Sequence, residues 1–166
     1  MSTNTFSTGD AFLSLGTSGV YFVASDTYHA NPNKAVHAFC HCLPNRWHQM
    51  TVHLSAASCL EWATQLLKLK SVRALIDLAK EKPATRVIYL PYLSGERTPH
   101  NDPYARGVFF GMDNDTNASD LAQAVLEGVA FALADGQAAM LEANIDINDV
   151  AVVGGGARSF YWGKIL

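Results

Sequence analysis

Between Asp120 and Asn144, apolar or small residues fall at Leu121, Ala124, Val125, Gly128, Val129, Ala132, Leu133, Gly136, Ala139 and Met140. Steps of three and four place them on one unbroken stripe of an α-helix. Gly128 and Gly136 both lie on that stripe. Glycine costs roughly 1 kcal/mol against alanine inside a helix, so its use here predicts close approach by another backbone. A helix of this kind needs a surface to cover it, and the remaining sequence offers strands. Phe12–Leu15 and Val20–Ala24 are β-favouring runs joined by Gly16-Thr17-Ser18-Gly19, which predicts a hairpin. Val36–Cys42, a turn at Pro44-Asn45, and Trp47–Leu54 predict two further strands of an antiparallel or mixed sheet.

After Leu54 the pattern changes. Ser55 is placed to cap a helix through Leu60, Ala63, Leu66 and Leu67, and a shorter helix over Val72–Lys80 is ended by Pro83. The continuous apolar run Val87–Leu90 predicts a strand buried on both faces. Gly107–Gly111 predicts another short strand. Val150–Val153 predicts a last buried strand, running into Gly154-Gly155-Gly156-Ala157 with a helix starting near Ser159. An α/β fold is expected, with a mixed sheet and flanking helices. The polar first ten residues are expected to be frayed, and the β-α unit at Leu166 to be unfinished.

A length of 166 residues suits about one domain. Twelve Lys and Arg against 15 Asp and Glu give a net charge of −3, which argues against a polyanion-binding surface and hence against nucleic acid. Hydrophobic residues at 49% exclude disorder. Charged residues are only 16%, below the roughly 25% of soluble domains, which implies either much buried surface or a face that something else covers. A homo-oligomer is one way to cover it. The three cysteines cannot all pair within the chain, and the first lysine is Lys34, so no signal peptide is read and a reducing cytoplasm is expected. Ala11–Ser25 is too short and too polar to span a bilayer, so no membrane association is expected.

Four motifs admit a chemical reading beside a structural one. The Gly16–Gly19 turn can aim N–H groups and two hydroxyls at a phosphate, or it can simply close a hairpin. Gly154–Ala157 can admit a nucleotide at a helix N-terminus, or serve as a tight turn. It is not a P-loop, and Ser159 stands where a dinucleotide fingerprint has its third glycine. Glu96-Arg97 with His100-Asn101-Asp102 is either a ligand loop beyond a strand end or a salt-bridged surface turn. His37-x-x-Cys40-His41-Cys42 invites a metal, but His41 points to the opposite strand face from Cys40 and Cys42. No metal site is expected.

Taken together, LSLGTSG, LPYLSGERTPH, ARGVFFGM and VGGGARS resemble the FGGY carbohydrate kinases. So does Gly107–Gly111 followed by Asp-Leu-x-x-Ala-Val-Leu-Glu at Asp120–Glu127. The resemblance covers residues 11–166 and implies the C-terminal, ATP-binding domain of an actin-like, ribonuclease-H-like fold, incomplete at both ends. By it, Gly16, Thr17, Ser18 and Gly19 would hold the ATP phosphates, and Gly154, Gly155, Gly156 and Ala157, with Ser159, would flank the adenosine. ATP with Mg2+ would be the cofactor. The implied activity of the complete protein is phosphorylation of a ketopentose. The full wording, including CLEW around Glu61, favours D-xylulose over glycerol or ribulose. The sugar would bind mainly in an N-terminal domain. The family's catalytic aspartate lies in a Gly-Gly-x-Asp-like segment before the LGTSG turn. Asp10 lacks that context, so no catalytic residue is assigned, and the chain alone is expected to be inactive. A different class of reading is a non-catalytic nucleotide-sensing or assembly module.

Overall fold

The computed structural model describes residue 3 and residues 5–166. Strands β1 (Ala11–Leu15) and β2 (Gly19–Ser25) form the expected hairpin, with Leu15 opposite Gly19. They are followed by β3 (His37–Cys40) and β4 (Trp47–His53). Two helices, α1 (Ala57–Leu66) and α2 (Val72–Lys80), lead to β5 (Ile88–Leu90) and β6 (Val108–Phe110). Then come the long helix α3 (Ala118–Leu141), strand β7 (Val150–Val153) and a short α4 (Phe160–Gly163). The main sheet has the order β3-β4-β2-β1-β7, and β5-β6 form a separate antiparallel pair. Only β7 runs parallel to its neighbour, with Leu13 opposite Val152. That parallel pair makes the sheet mixed, as expected.

Helix α3 packs against both sheets. A Cβ on Gly128 would collide with the backbone carbonyl of Tyr89 in β5, and one on Gly136 would collide with the His53 ring and lie 2.9 Å from Thr51 Oγ1 in β4. The Gly128 contact is the backbone approach expected of the stripe glycines, whereas Gly136 makes room for side chains, the His53 ring and the Thr51 hydroxyl. By length and composition α3 could cross a membrane, but 56% of its most apolar stretch is buried inside this domain. The helix begins with a capping box in which Asn117 Oδ1 accepts from Ser119 N–H and Asp120 N–H, and Asp120 Oδ2 accepts from Asn117 N–H. Lys82, 2.7 Å from Asp120, holds that carboxyl below its ordinary pKa. The helix stops at Leu141 rather than Asn144 because Asn144 takes the left-handed region at φ 56°.

Three expectations are corrected. Ser55 does not cap α1: the N-cap is Ala56, and the first amides of the helix are taken by backbone carbonyls of residues 16 and 17. Strand β5 is not buried on both faces, because Tyr89 packs inward at 2% exposure while Ile88 and Leu90 are 53% and 38% exposed. A two-stranded sheet backed by one helix has one covered face. Strand β7 is also half-covered, with Val150 and Val152 at 36% and 41% exposure, because it is an edge strand paired only with β1. A short apolar run cannot distinguish these cases. The expectation of a frayed start falls partly on residues 1, 2 and 4, which lie outside the described residues. Nearby, Gly9 N–H donates to Ala24 O, and Asp10 Oδ2 accepts from Phe6 and Ser7 N–H.

Two outcomes follow from this packing. On an open helix, Gly128→Ala would stabilise by roughly 1 kcal/mol. Here it is expected to destabilise by about 1–3 kcal/mol through overpacking on Tyr89, as read from the denaturant midpoint. Cys59 is fully buried, its thiol pushed up to about 11 chiefly by burial, whereas Cys40 and Cys42 are exposed and free. A thiol reagent at pH 8 should therefore modify two cysteines in the folded chain and a third only after unfolding. Rapid labelling of all three would contradict the buried position of Cys59.

Candidate functional site

Because β1 and β7 are adjacent and parallel, the segments leaving their carboxyl ends emerge side by side. One is the Gly16–Gly19 turn and the other is Gly154–Ala157, so the sheet joins motifs from opposite ends of the sequence. Gly154 has φ +94°, and a Cβ there would lie 2.6 Å from Leu15 O. A Cβ on Gly156 would lie 2.8 Å from Leu15 Cβ. These two glycines let the second loop press onto the base of the first. Gly155 differs: it has helical φ −64° and ψ −37°, and nothing lies within 4 Å of its Cβ position. Its Cα faces open space. Ala157 is exposed, and Ser159 caps α4 by accepting from Trp162 N–H.

The first turn is seated on α1. Gly16 O accepts from Ala57 N–H at 2.9 Å, and Thr17 O accepts from Ala56 N–H at 3.0 Å and Ser58 Oγ–H at 2.8 Å. Gly16 N–H is used within the turn, on Ser18 O. Thr17 and Ser18 are exposed, and their N–H groups make no hydrogen bond among the described residues. The turn thus presents two open amide donors and two hydroxyls in front of a helix N-terminus, an arrangement suited to an anion. Gly19 is buried, with Leu133 Cδ2 3.0 Å from where its Cβ would be. Its side faces α3, so it shapes the turn by packing.

A cavity of about 880 Å³ opens beside the second loop. Gly155, Gly156 and Ser159 line it on one side, and Ala57, Glu61 and Ile76 of α1 and α2 line it on the other. A pocket of this size admits a nucleoside. Thr17 and Ser18 are not among its walls, but Ala57 is, and Ala57 is the residue whose N–H binds Gly16 O. The walls from α1 and α2 escaped the sequence reading, because helix periodicity marks a face without showing what lies across from it. A smaller cavity of about 510 Å³ involves Lys82, Arg86, Asp113 and Asp120, of which Lys82 and Asp120 already serve the start of α3.

Asp10 stands before β1 and the Gly16–Gly19 turn stands after it, about 16 Å apart for a five-residue strand. The Asp10 carboxylate accepts two local amides, so it is removed from the turn both in distance and in use. Among the described residues no group of three or more His, Cys, Asp or Glu converges as a metal centre.

This fold brings two glycine-bearing loops together beside a nucleoside-sized cavity. Residues 11–166 match the C-terminal domain of the FGGY family of carbohydrate kinases, and the chain belongs to that family. Its actin-like, ribonuclease-H-like fold agrees with the expected class. The chain is 55% identical over 158 residues to the xylulose kinase of Escherichia coli strain K12, matching 94% of this chain and 33% of that relative. The xylulose kinase structure from Brucella ovis superposes at TM-score 0.91 with 50% identity, over 97% of this chain and 34% of that one. A gluconate kinase structure from Lactobacillus acidophilus superposes at 0.88 with 25% identity, over 98% of this chain and 33% of that one. The chain thus spans about one third of the length of these relatives.

The glycine geometry yields a paired outcome. Gly154→Ala should destabilise the domain clearly, since a side chain there meets backbone in a left-handed conformation. Gly155→Ala should leave Tm unchanged within error. Equal losses in both would mean the second loop is a uniformly strained turn.

Proposed function

We propose that this chain is the nucleotide-binding domain of a pentulose kinase that, when complete, transfers the γ-phosphoryl group of ATP to D-xylulose. The observation that carries this reading is the meeting of the two loops at the ends of β1 and β7, beside a nucleoside-sized cavity. In this reading the Thr17 and Ser18 amides and hydroxyls bind the nucleotide phosphates, Gly16, without a side chain, lets them approach the turn closely, and Gly19 fixes the turn from behind. Gly154 and Gly156 hold the second loop against Leu15, and Gly155, Ala157 and Ser159 border the adenosine. Phosphoryl transfer relies mainly on positioning and charge stabilisation, which oriented amides and a helix N-terminus supply. The donor set of this chain fits a nucleotide. Mg2+ would accompany the nucleotide, bridging its phosphate oxygens.

The substrate assignment rests on the identity to relatives named for xylulose. Similarity to a gluconate kinase keeps another sugar as the second reading. The sugar site is assigned mainly to the part of the relatives that this chain does not span. Three free thiols are compatible with a reducing cytoplasm.

The test is calorimetric titration of ATP into the 166-residue chain. Thr17→Ala removes a hydroxyl bond to a charged group, worth about 1.5–3 kcal/mol, so ATP affinity should fall roughly 10- to 100-fold with Tm unchanged. Gly155→Ala should also weaken ATP without lowering Tm. The chain alone should show no phosphorylation of D-xylulose. A lowered Tm in Thr17→Ala with affinity intact would make the turn purely structural.

A further inference from the structure

The loop 94–102 was open to two readings from sequence, and the structure shows it rigidly built. Glu96 is only 2% exposed. Its Oε1 accepts from Leu54 N–H at 3.1 Å and from Arg97 N–H at 2.7 Å. Its Oε2 has no hydrogen-bond partner and lies 3.8 Å from Nδ1 of buried His53. The loop closes on itself where Glu96 and Asp102 exchange N–H···O bonds at 2.8 Å. It is tied to β4 where Thr98 N–H donates to Val52 O at 3.2 Å and Val52 N–H donates to Thr98 Oγ1 at 3.2 Å. A buried carboxylate is costly unless it is well bonded, so its use here to fix two backbone amides calls for a reason.

The reason lies in what those amides hold. His53, at the end of β4, pairs with Gly19 of the phosphate-type turn. Leu54 leads within two residues to Ala56, whose N–H binds Thr17 O. Glu96 therefore locks its loop to the strand end that borders the turn. The next residue, Arg97, is exposed, and its guanidinium makes no ion pair or hydrogen bond among the described residues. A rigid loop thus offers an unpaired cation at the sheet end where Thr17 and Ser18 offer unpaired amides. Guanidinium is well suited to phosphate, being permanently charged and able to donate two parallel bonds.

We propose that Arg97 supplies positive charge to the terminal phosphates of the bound nucleoside triphosphate, and that buried Glu96 is the positioning residue that holds it there. This rests on the nucleotide reading above, and the test separates the two. ATP and AMP are titrated into the 166-residue chain and into its Arg97→Ala, Arg97→Lys and Glu96→Gln variants. Arg97→Ala should weaken ATP by about tenfold while AMP stays within about twofold. Arg97→Lys should recover part of the loss, and Glu96→Gln should weaken ATP selectively although Arg97 is intact. If Glu96→Gln does not fold by circular dichroism, Glu96→Asp, which keeps the charge at shorter reach, reads the same ratio. An unchanged ATP-to-AMP ratio in Arg97→Ala overturns the assignment and makes Arg97 a surface or partner-facing charge. Unaltered ATP affinity in the folded Glu96 variant overturns the positioning role. Failure of the unsubstituted chain to bind either nucleotide overturns the nucleotide site and this assignment together.

Discussion

The seating of α3 on the two sheets is the contact from which the rest of the domain takes its geometry. Gly136 lets the helix lie against Thr51 and His53 of β4, and Gly128 lets it lie against the Tyr89 backbone of β5. A side chain at either point would push a sheet away. Leu133, on the same stripe, closes on Gly19 and so sets the height of the first turn. Helix propensity is given up at both glycines, and close packing with buried apolar area offsets that loss.

From that frame the site is assembled by hydrogen bonding between backbones. The carbonyls of Gly16 and Thr17 take the opening amides of α1, so the turn and the helix N-terminus form one unit. The turn leaves its own Thr17 and Ser18 amides without a hydrogen-bond partner among the described residues. Among the described residues, no hydrogen bond joins the second loop to this unit. It is held by contact, through Gly154 and Gly156 on Leu15. The result is a site with fixed walls and open donors, which fits a ligand rich in negative charge.

The inward face of β4 is unusual for a core strand. Gln49, Thr51 and His53 alternate into the interior, all buried, and none of their side-chain polar atoms has a protein hydrogen-bond partner. An apolar face there would be simpler to pack against α3. These polar groups end at Glu96, where the buried charge fixes the loop carrying Arg97.

Local pattern was enough to read most of the elements from the sequence. The hairpin, the strand periodicity, the glycine-bearing stripe of α3 and the two glycine loops all appear as residue types at fixed spacing, because local sterics and side-chain period decide them. The family wording added the expected fold and the pairing of the loops, and residues 11–166 match that family. Only the tertiary structure decided which faces are covered. Val87–Leu90 and Val150–Val153 read as fully buried, yet Ile88, Leu90, Val150 and Val152 are open, because burial depends on which element lies across. The same limit hid the capping of α1, which comes from carbonyls some forty residues upstream in sequence rather than from Ser55. It also hid the α1 and α2 walls of the cavity and the burial of Glu96. Each of these is a contact between distant segments, and spacing along a chain does not encode what the fold brings opposite.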